Sequence, residues 1–544
     1  MRPLTMFRRV RLALLAAALT LGMTMAGAAG AAGAAGAAGA AGAAGASSPA
    51  AAASFPNVVV PVPVSETANG STFTLAASAT LTADDANVGG YLAGILRAST
   101  GYALPLTVGA TTPGTIALSL SGAPATVGAE GYQLTITAGS VRVQANSASG
   151  LFHGVQTFLQ LLPGQVMSPT KVTSVTWKAT GGTILDYPRY EHRGAMLDVA
   201  RHFFTVAQVE HYIDELALYK VNYLHLHLSD DQGWRIAINS WPNLATYGGS
   251  TEVGGGAGGY YTQADYTAIV NYAASRYMTV VPEIDTPGHT NAALASYASL
   301  NCNGVAPPLY TGTDVGFSSL CVSLPLTYTF LDQVIGEIAA LTPGPYIHIG
   351  GDEASSTTQS DYVSFINQEQ QIVANHGKAV MGWHNIAAAT LAPSTVAQFW
   401  DTTKSNSALA AAAAKGTKII MSPANHAYLD MKYTKKTTLG QNWAGYVDVN
   451  AAYGWDPGNY LSGVSSSAIA GVEAPLWSET LVTSANIDYM AFPRLPALME
   501  LGWSPESTHS QTAFDARLGA QGPRWHAMGV DYYKSTQVTW PTGS

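Results

Sequence analysis

The segment His348-Ile349-Gly350-Gly351-Asp352-Glu353 sets a short apolar run against two glycines and two adjacent carboxylates. Neighbouring carboxylates repel, so one tends to keep a proton while the other ionises. An acid beside an anion suits glycosidic cleavage, in which one group protonates the leaving oxygen and a negative charge steadies a positive, sugar-like transition state. A helix N-terminus also attracts Asp and Glu, so the pair alone leaves two readings open. Aromatic residues favour the first. Trp383, Trp400 and Trp477 each end a short apolar run, and Trp443 lies in a later loop. Single tryptophans more often fill cores, but several at one level make a pocket wall for the apolar face of a sugar. Polar groups follow the same runs: Asp198 with Arg201, Asp230 with Asp231, Asp285 with His289, Tyr428 with Asp430, and Glu479 just after Trp477. His225 and His227 alternate ahead of Asp230, which offers two imidazoles to a metal. A metal site there wants further histidines and an Asp at matched positions, where the chain has Trp477 and Glu479 instead. We therefore expect no metal and no cofactor. Gly254, Gly256 and Gly259 have the spacing of a dinucleotide loop but follow no strand, and read as a mobile loop.

Residues so far apart in the chain need a frame that brings them together. From Glu191 onward a unit recurs: an apolar run rich in Val, Ile and Leu, a polar cluster, then a helical stretch. The runs fall at 195–199, 223–228, 279–284, 346–349, 379–382, 396–399, 418–421 and 471–476. Eight such units predict an α/β fold, a (β/α)8 barrel over 190–535, whose active face lies at the C-terminal ends of the strands. Upstream, Tyr132, Leu134 and Ile136 alternate with polar residues, as do Val141 and Val143, which is a hairpin pattern. Leu151, Val155, Phe158, Leu159 and Leu162 then share one helical face, closed by Pro163. Residues 55–185 thus predict a small α+β domain. Residues 1–46 combine an arginine-bearing start, an apolar stretch at 12–25 and a Gly-Ala-Ala repeat, and read as a secretory signal with a flexible spacer. The apolar stretch falls short of the roughly 20 residues of a membrane span. Arg8 and Arg9 raise a twin-arginine route, but an ordinary Sec signal is the expectation. In an exported chain Cys302 and Cys321, the two cysteines present, predict one disulfide stapling a surface loop. Of the 544 residues 47% are hydrophobic, which excludes general disorder, and a net charge of −9 disfavours a nucleic-acid partner.

Taken together the motifs resemble the family 20 glycoside hydrolases, the β-N-acetylhexosaminidases. The match rests on Arg193-Gly194 through Asp198 to Arg201-His202, on His225 through Trp234, and on Pro282-Glu283-Ile284-Asp285-Thr286-Pro287-Gly288-His289. It continues through His348 to Glu353, Tyr428-Leu429-Asp430 and Leu476-Trp477-Ser478-Glu479. The helix at 150–162 is similar to the end of the family's zincin-like first domain, so the likeness runs over about 55–535. It implies substrate-assisted cleavage, in which the sugar's 2-acetamido oxygen attacks the anomeric carbon. Glu353 is then the general acid and later the base, Asp352 holds the acetamido N–H, and Tyr428 donates to its carbonyl. The resemblance further implies that Arg201 grips the 3- and 4-hydroxyls, Glu479 the 4-hydroxyl and Asp430 the 6-hydroxyl. Trp383, Trp400 and Trp477 enclose the ring, Trp443 lies nearer the leaving group, and Asp230, Asp285 and His289 support the substrate and the acid pair. One departure stands out: relatives often carry an acidic residue soon after the tryptophan matching Trp383, where this chain has His384 and Asn385. That bears on leaving-group preference. The resulting expectation is a secreted, exo-acting, retaining enzyme that removes terminal β-linked GlcNAc or GalNAc from oligosaccharides or glycoconjugates. The alternatives are a sugar-binding relative without turnover, a disaccharide-releasing member of the family, and a metal-dependent hydrolase.

Overall fold

The computed structural model describes residues 54–110 and 112–542. The expected signal and spacer, 1–46, lie outside the described residues. The first part of the chain builds a seven-stranded mixed sheet from β1 (Ser65–Thr74), β2 (Leu81–Ala83), β3 (Leu106–Val108), β4 (Ile116–Ser119), β5 (Tyr132–Ile136), β6 (Val141–Ala145) and β7 (Lys178–Asp186), in the order β1-β7-β5-β6-β4-β2-β3. The anticipated hairpin is β5 against β6, with Leu134 opposite Val143 and every second residue buried. Helix Ala148–Leu161 packs on it closely enough that a Cβ on Gly154 would sit 2.4 Å from a Val143 methyl.

A second helix, Ala86–Thr100, is one that the sequence pattern does not announce. Gly89, Gly90 and Gly94 lower its intrinsic propensity. It forms because Asp85 caps its start by accepting from Val88 N, Gly101 ends it at φ 70°, and Val88, Leu92 and Leu96 bury one face. β7 also extends the domain, pairing with both β1 and β5 after the last helix.

Eight parallel strands then close a barrel: β8 (His192–Asp198), β9 (Tyr223–His227), β10 (Thr279–Thr286), β11 (Tyr346–Gly350), β12 (Ala379–Trp383), β13 (Val396–Phe399), β14 (Lys418–Met421) and β15 (Ile469–Leu476). Closure is by β15 beside β8, in register from Gly471 opposite His192 to Leu476 opposite Leu197. The strands are buried on both faces, which is why they read as continuous apolar runs and not as alternating ones. Among the described residues no helix is long and apolar enough to cross a membrane.

Candidate active site

The C-terminal ends of the barrel strands deliver the polar clusters to one mouth. β11 ends in a turn that only glycine can make. Gly350 has φ 67° and a Cβ there would collide with Asp285, while Gly351 has φ 96° and a Cβ would meet Ile386 at 2.5 Å. Asp352 and Glu353 follow directly. Glu353 itself has φ 45° and His289, in the loop after β10, has φ 54°, a left-handed backbone rare for residues with a Cβ. Such strain gathers where a side chain must be aimed.

His289 is the pivot of the site. Its Nδ1 lies 3.2 Å from Asp230 Oδ1, and its Nε2 is 3.3 Å from Glu353 Oε2 and 3.7 Å from Asp352 Oδ2. Asp230 also meets Arg201 Nη2 at 2.7 Å and His227 Nε2 at 2.8 Å. Burial opposes ionisation of Asp230, but Arg201 and His289 outweigh it and hold its carboxyl well below the usual range. Asp198 braces the arginine: Oδ1 accepts from Arg201 N, and Oδ2 lies 3.2 Å from Arg201 Nη1 and accepts from Ser478 N across the β8 to β15 seam. Asp352 behaves differently. Burial first, then the charges of Glu353 and Glu283 working against His289, raise it to about 6. Burial and the charge of Asp352 raise Asp285 well above the usual carboxyl range as well. Burial and the nearby Asp352 likewise keep the Tyr428 phenol protonated, hence a donor.

Below this layer the barrel interior is ionic. Glu283 of β10 lies 2.6 Å from His227 Nδ1, 3.0 Å from His225 Nε2 and 3.0 Å from His348 Nδ1, and it accepts from the Trp383 indole at 2.9 Å. Glu473 of β15 meets His192 and His225, each at 2.8 Å, and accepts from Gln398 at 2.9 Å. Burial disfavours charge on His227, yet Glu283 and the contact with Asp230 raise it to about 10. The alternating histidines that looked like metal ligands are therefore engaged by carboxylates, and through Asp230 they connect to the mouth.

A cavity of about 420 Å³ opens there, lined by Arg201, His289, Asp352, Glu353, Trp400, Tyr428, Asp430, Trp443, Trp477 and Glu479, with Thr313, Val315 and Gln441 completing the rim. Trp477 stacks under the Arg201 guanidinium at 4.8 Å, Tyr428 lies 5.9 Å from Trp443, and Trp443, 56% exposed, is 6.1 Å from Trp400. Several polar atoms of this lining have no hydrogen-bond partner among the described residues: Asp352 Oδ1, Asp430 Oδ1 and Arg201 Nε. Buried polar atoms are rarely left so, and here they border a cavity large enough for a ligand.

Trp383 is placed otherwise than expected. It does not line the cavity but is fully buried beneath it, 5.6 Å from Trp477 and tied to Glu283, so it backs the floor. Asp230 and Asp285 also stand behind the lining, consistent with supporting places. Cys302 and Cys321 are disulfide-bonded, and the loop they close carries Thr313 and Val315 to the rim, a contribution the sequence did not announce. Gln441 carried no signal either. The glycine-rich segment is a turn, Val253–Gly255, whose Gly254 N donates to Thr311 O of the disulfide loop.

Comparison with known proteins agrees over both parts of the chain. The model of the glycosyl hydrolase family 20 catalytic domain matches residues 190–506, and that of the family's domain 2 matches 57–187. A β-N-acetylhexosaminidase of Cellulomonas fimi is 40% identical over 492 residues, 89% of this chain and 97% of the relative. The solved GH20 β-N-acetylhexosaminidase of Streptomyces coelicolor A3(2) superposes with TM-score 0.87 at 55% identity, over 89% of this chain and 99% of that one. A Streptomyces plicatus N-acetyl-β-hexosaminidase in complex with thio-NAglucal gives 0.86 at 56% identity, over 89% and 97%.

Proposed function

Because the chain belongs to glycosyl hydrolase family 20 and is a glycoside hydrolase, we propose that it is a retaining exo-β-N-acetylhexosaminidase that cleaves terminal β-linked GlcNAc or GalNAc with the help of the substrate's own acetamido group. The observation that carries this reading is the pairing of a carboxyl acid at the mouth with an unpartnered oxygen beside it. Glu353 keeps 35% of its side chain exposed, next to His289, while Asp352 Oδ1 has no donor among the described residues. An acetamido N–H supplies that donor, and the Tyr428 hydroxyl donates to the acetamido carbonyl. Thus held, the acetamido oxygen attacks C1 as the bond from C1 to the leaving oxygen breaks and Glu353 gives that oxygen its proton. Glu353 then takes a proton from water, which adds to C1 and reopens the oxazolinium ring, so two inversions give net retention. Orientation of the internal nucleophile is the main contribution of Asp352 and Tyr428. Arg201, Asp430 and Glu479 offer donors and acceptors to ring hydroxyls, and Trp400, Trp443 and Trp477 offer apolar faces. The Cys302 to Cys321 disulfide fits an oxidising compartment, which supports the export expected from the sequence of residues 1–46.

The test compares initial rates on two aryl β-glycosides, one of N-acetylglucosamine and one of glucose, with chelator present. Rapid turnover of the first and almost none of the second is expected. Comparable rates on both would mean a conventional nucleophilic carboxylate and would overturn the substrate-assisted reading.

A further inference from the structure

The outer wall of the barrel holds a second cluster that the proposed chemistry does not use. Helix Val206–Ala217 follows β8 and helix Ser484–Ala491 follows β15, and the two pack together over the seam where the first and last strands meet. His211 and Glu215, four residues apart, share one face of the first helix. Asp488 of the second faces them. His211 Nε2 lies 3.2 Å from Glu215 Oε1 and 3.7 Å from Asp488 Oδ1, and one ligand atom from each of the three falls within 4.8 Å of the others. Glu215 and Asp488 are buried, whereas His211 is 40% exposed and gives the cluster a way in from solvent.

The buried carboxylates are poorly served by the protein. Apart from the His211 contacts, the oxygens of Glu215 and Asp488 Oδ1 have no hydrogen-bond partner among the described residues, nor has the hydroxyl of neighbouring Tyr212. The charges that act most on Glu215 are those of His211, Asp488 and Asp214; Asp214 is itself held by Arg276 and Tyr272. Two buried carboxylates and one imidazole carry an excess of negative charge even with the imidazole protonated. A dication balances the same three groups with both carboxylates ionised and the imidazole neutral. The spacing agrees: metal bonds of about 2.0–2.2 Å to nitrogen and oxygen put tetrahedral ligands about 3.3 Å apart, between the two separations measured from His211.

We propose that His211, Glu215 and Asp488 form a binding site for a divalent transition-metal cation, best fitted by zinc, with water as the fourth ligand, which ties together the helices over the barrel seam. A set of one imidazole and two carboxylates suits such a cation better than a soft thiolate metal. This departs from the expectation of no metal, which rested on the residues at the strand ends around His225 and His227; here the ligands lie on two helices of the outer wall, the third on a helix distant in sequence. The role is structural and separate from the mouth.

The metal-free, untagged full-length protein should be titrated with zinc against a chromophoric chelator, beside His211→Gln and Asp488→Asn. One tight equivalent per chain is expected, more than about tenfold weaker in each variant, with protons released to the buffer on binding. Zinc should raise the Tm of the native chain and not that of His211→Gln, which keeps a polar side chain at this 40% exposed position, and hydrolysis by that variant should be unchanged. Absence of uptake by the native chain, or uptake and Tm shifts equal in native and His211→Gln protein, would overturn the proposal.

Discussion

The Glu353 side chain reaches the cavity mouth while its neighbour Asp352 is sunk against His289 and Asp285, and the two should respond differently to loss of charge. Protonation of a leaving group is worth roughly 10²- to 10⁴-fold, so Glu353→Gln should lose about 10²-fold or more on substrates with poor leaving groups, and much less on activated aryl glycosides. Near-native rates on the poor substrates would remove the acid from Glu353. Asp352 acts as an acceptor and must be ionised. With its carboxyl raised to about 6 by burial and by Glu353, kcat/KM should fall as pH drops through about 6, and Asp352→Asn should abolish that limb together with most activity on acetamido sugars. A limb near pH 4 in the native enzyme would contradict the assignment. The same shift has a stability sign. A carboxyl whose folded pKa lies above its unfolded value favours the folded state only while protonated, and that contribution is lost as pH rises through about 6. Asp352→Asn should therefore have the higher Tm at pH 7.5, with the gap closing below about pH 4. A variant less stable than the native chain at pH 7.5 would mean that the pairing of Asp352 with His289 outweighs the cost of its burial.

At the scale of elements, what could be read beforehand depended on whether neighbours in sequence carried the signal. The barrel strands were legible because both faces are covered, so each shows as an apolar run; the polar residue that ends it, such as Asp198 or Asp285, marks the mouth. Helix Ala86–Thr100 was not, since its glycines hide the apolar face. Trp383 was placed on the wall because it ends a strand like Trp400 and Trp477, yet its indole turns inward to Glu283, a contact no local pattern contains. Thr313 and Val315 escaped notice for a similar reason: they reach the rim only because the Cys302 to Cys321 loop folds over it. That loop is also fastened by Gln232, whose amide donates to Gly312 O at 2.9 Å, and by Ser318, which bonds Asp231. Removing the disulfide by Cys302→Ala with Cys321→Ala releases a loop of 19-residue separation, worth about 3 kcal/mol in the chain-entropy model. The polar fastenings remain. We expect a lower Tm and a KM raised several-fold with kcat nearly kept, since the rim loses order while the Asp352 and Glu353 turn does not. A fall in kcat with KM unchanged would place the loop's influence on the acid pair instead of on binding.

Across the whole molecule, the sheet domain is joined to the barrel by charge as well as by apolar packing. Asp186, the last residue of β7, lies fully buried and accepts from Tyr132 at 2.7 Å and from the Trp503 indole at 2.9 Å, and it meets Lys220 Nζ at 2.9 Å. Lys220 belongs to the barrel, in the turn before β9, and its ammonium sits 4.6 Å over the Trp503 ring. Nearby, Glu130 of the sheet domain pairs with Arg193 of β8. None of this is visible in sequence, where Asp186 looks like an ordinary residue at the end of a strand. The arrangement matters because Lys220 precedes the strand that carries His227, and Arg193 lies on the strand that delivers Asp198 toward Arg201. Burying an unpaired charge is costly: removing one member of a buried pair typically destabilises by about 3–5 kcal/mol. Asp186→Ala should cost in that range, because the enclosed Lys220 loses its carboxylate partner and keeps the Tyr132 hydroxyl at 3.3 Å and the aromatic faces about it. Lys220→Met with Asp186→Leu, which removes both charges and keeps the volume, should recover much of the loss. Denaturant unfolding of the two variants decides the matter. Equal destabilisation by both would mean that the hydrogen bonds from Tyr132 and Trp503, lost in either variant, and not the unpaired charge hold the domains together, whereas recovery in the double variant would identify the Asp186 to Lys220 pair as a contact that fixes how the sheet seats on the barrel more than how tightly it is held.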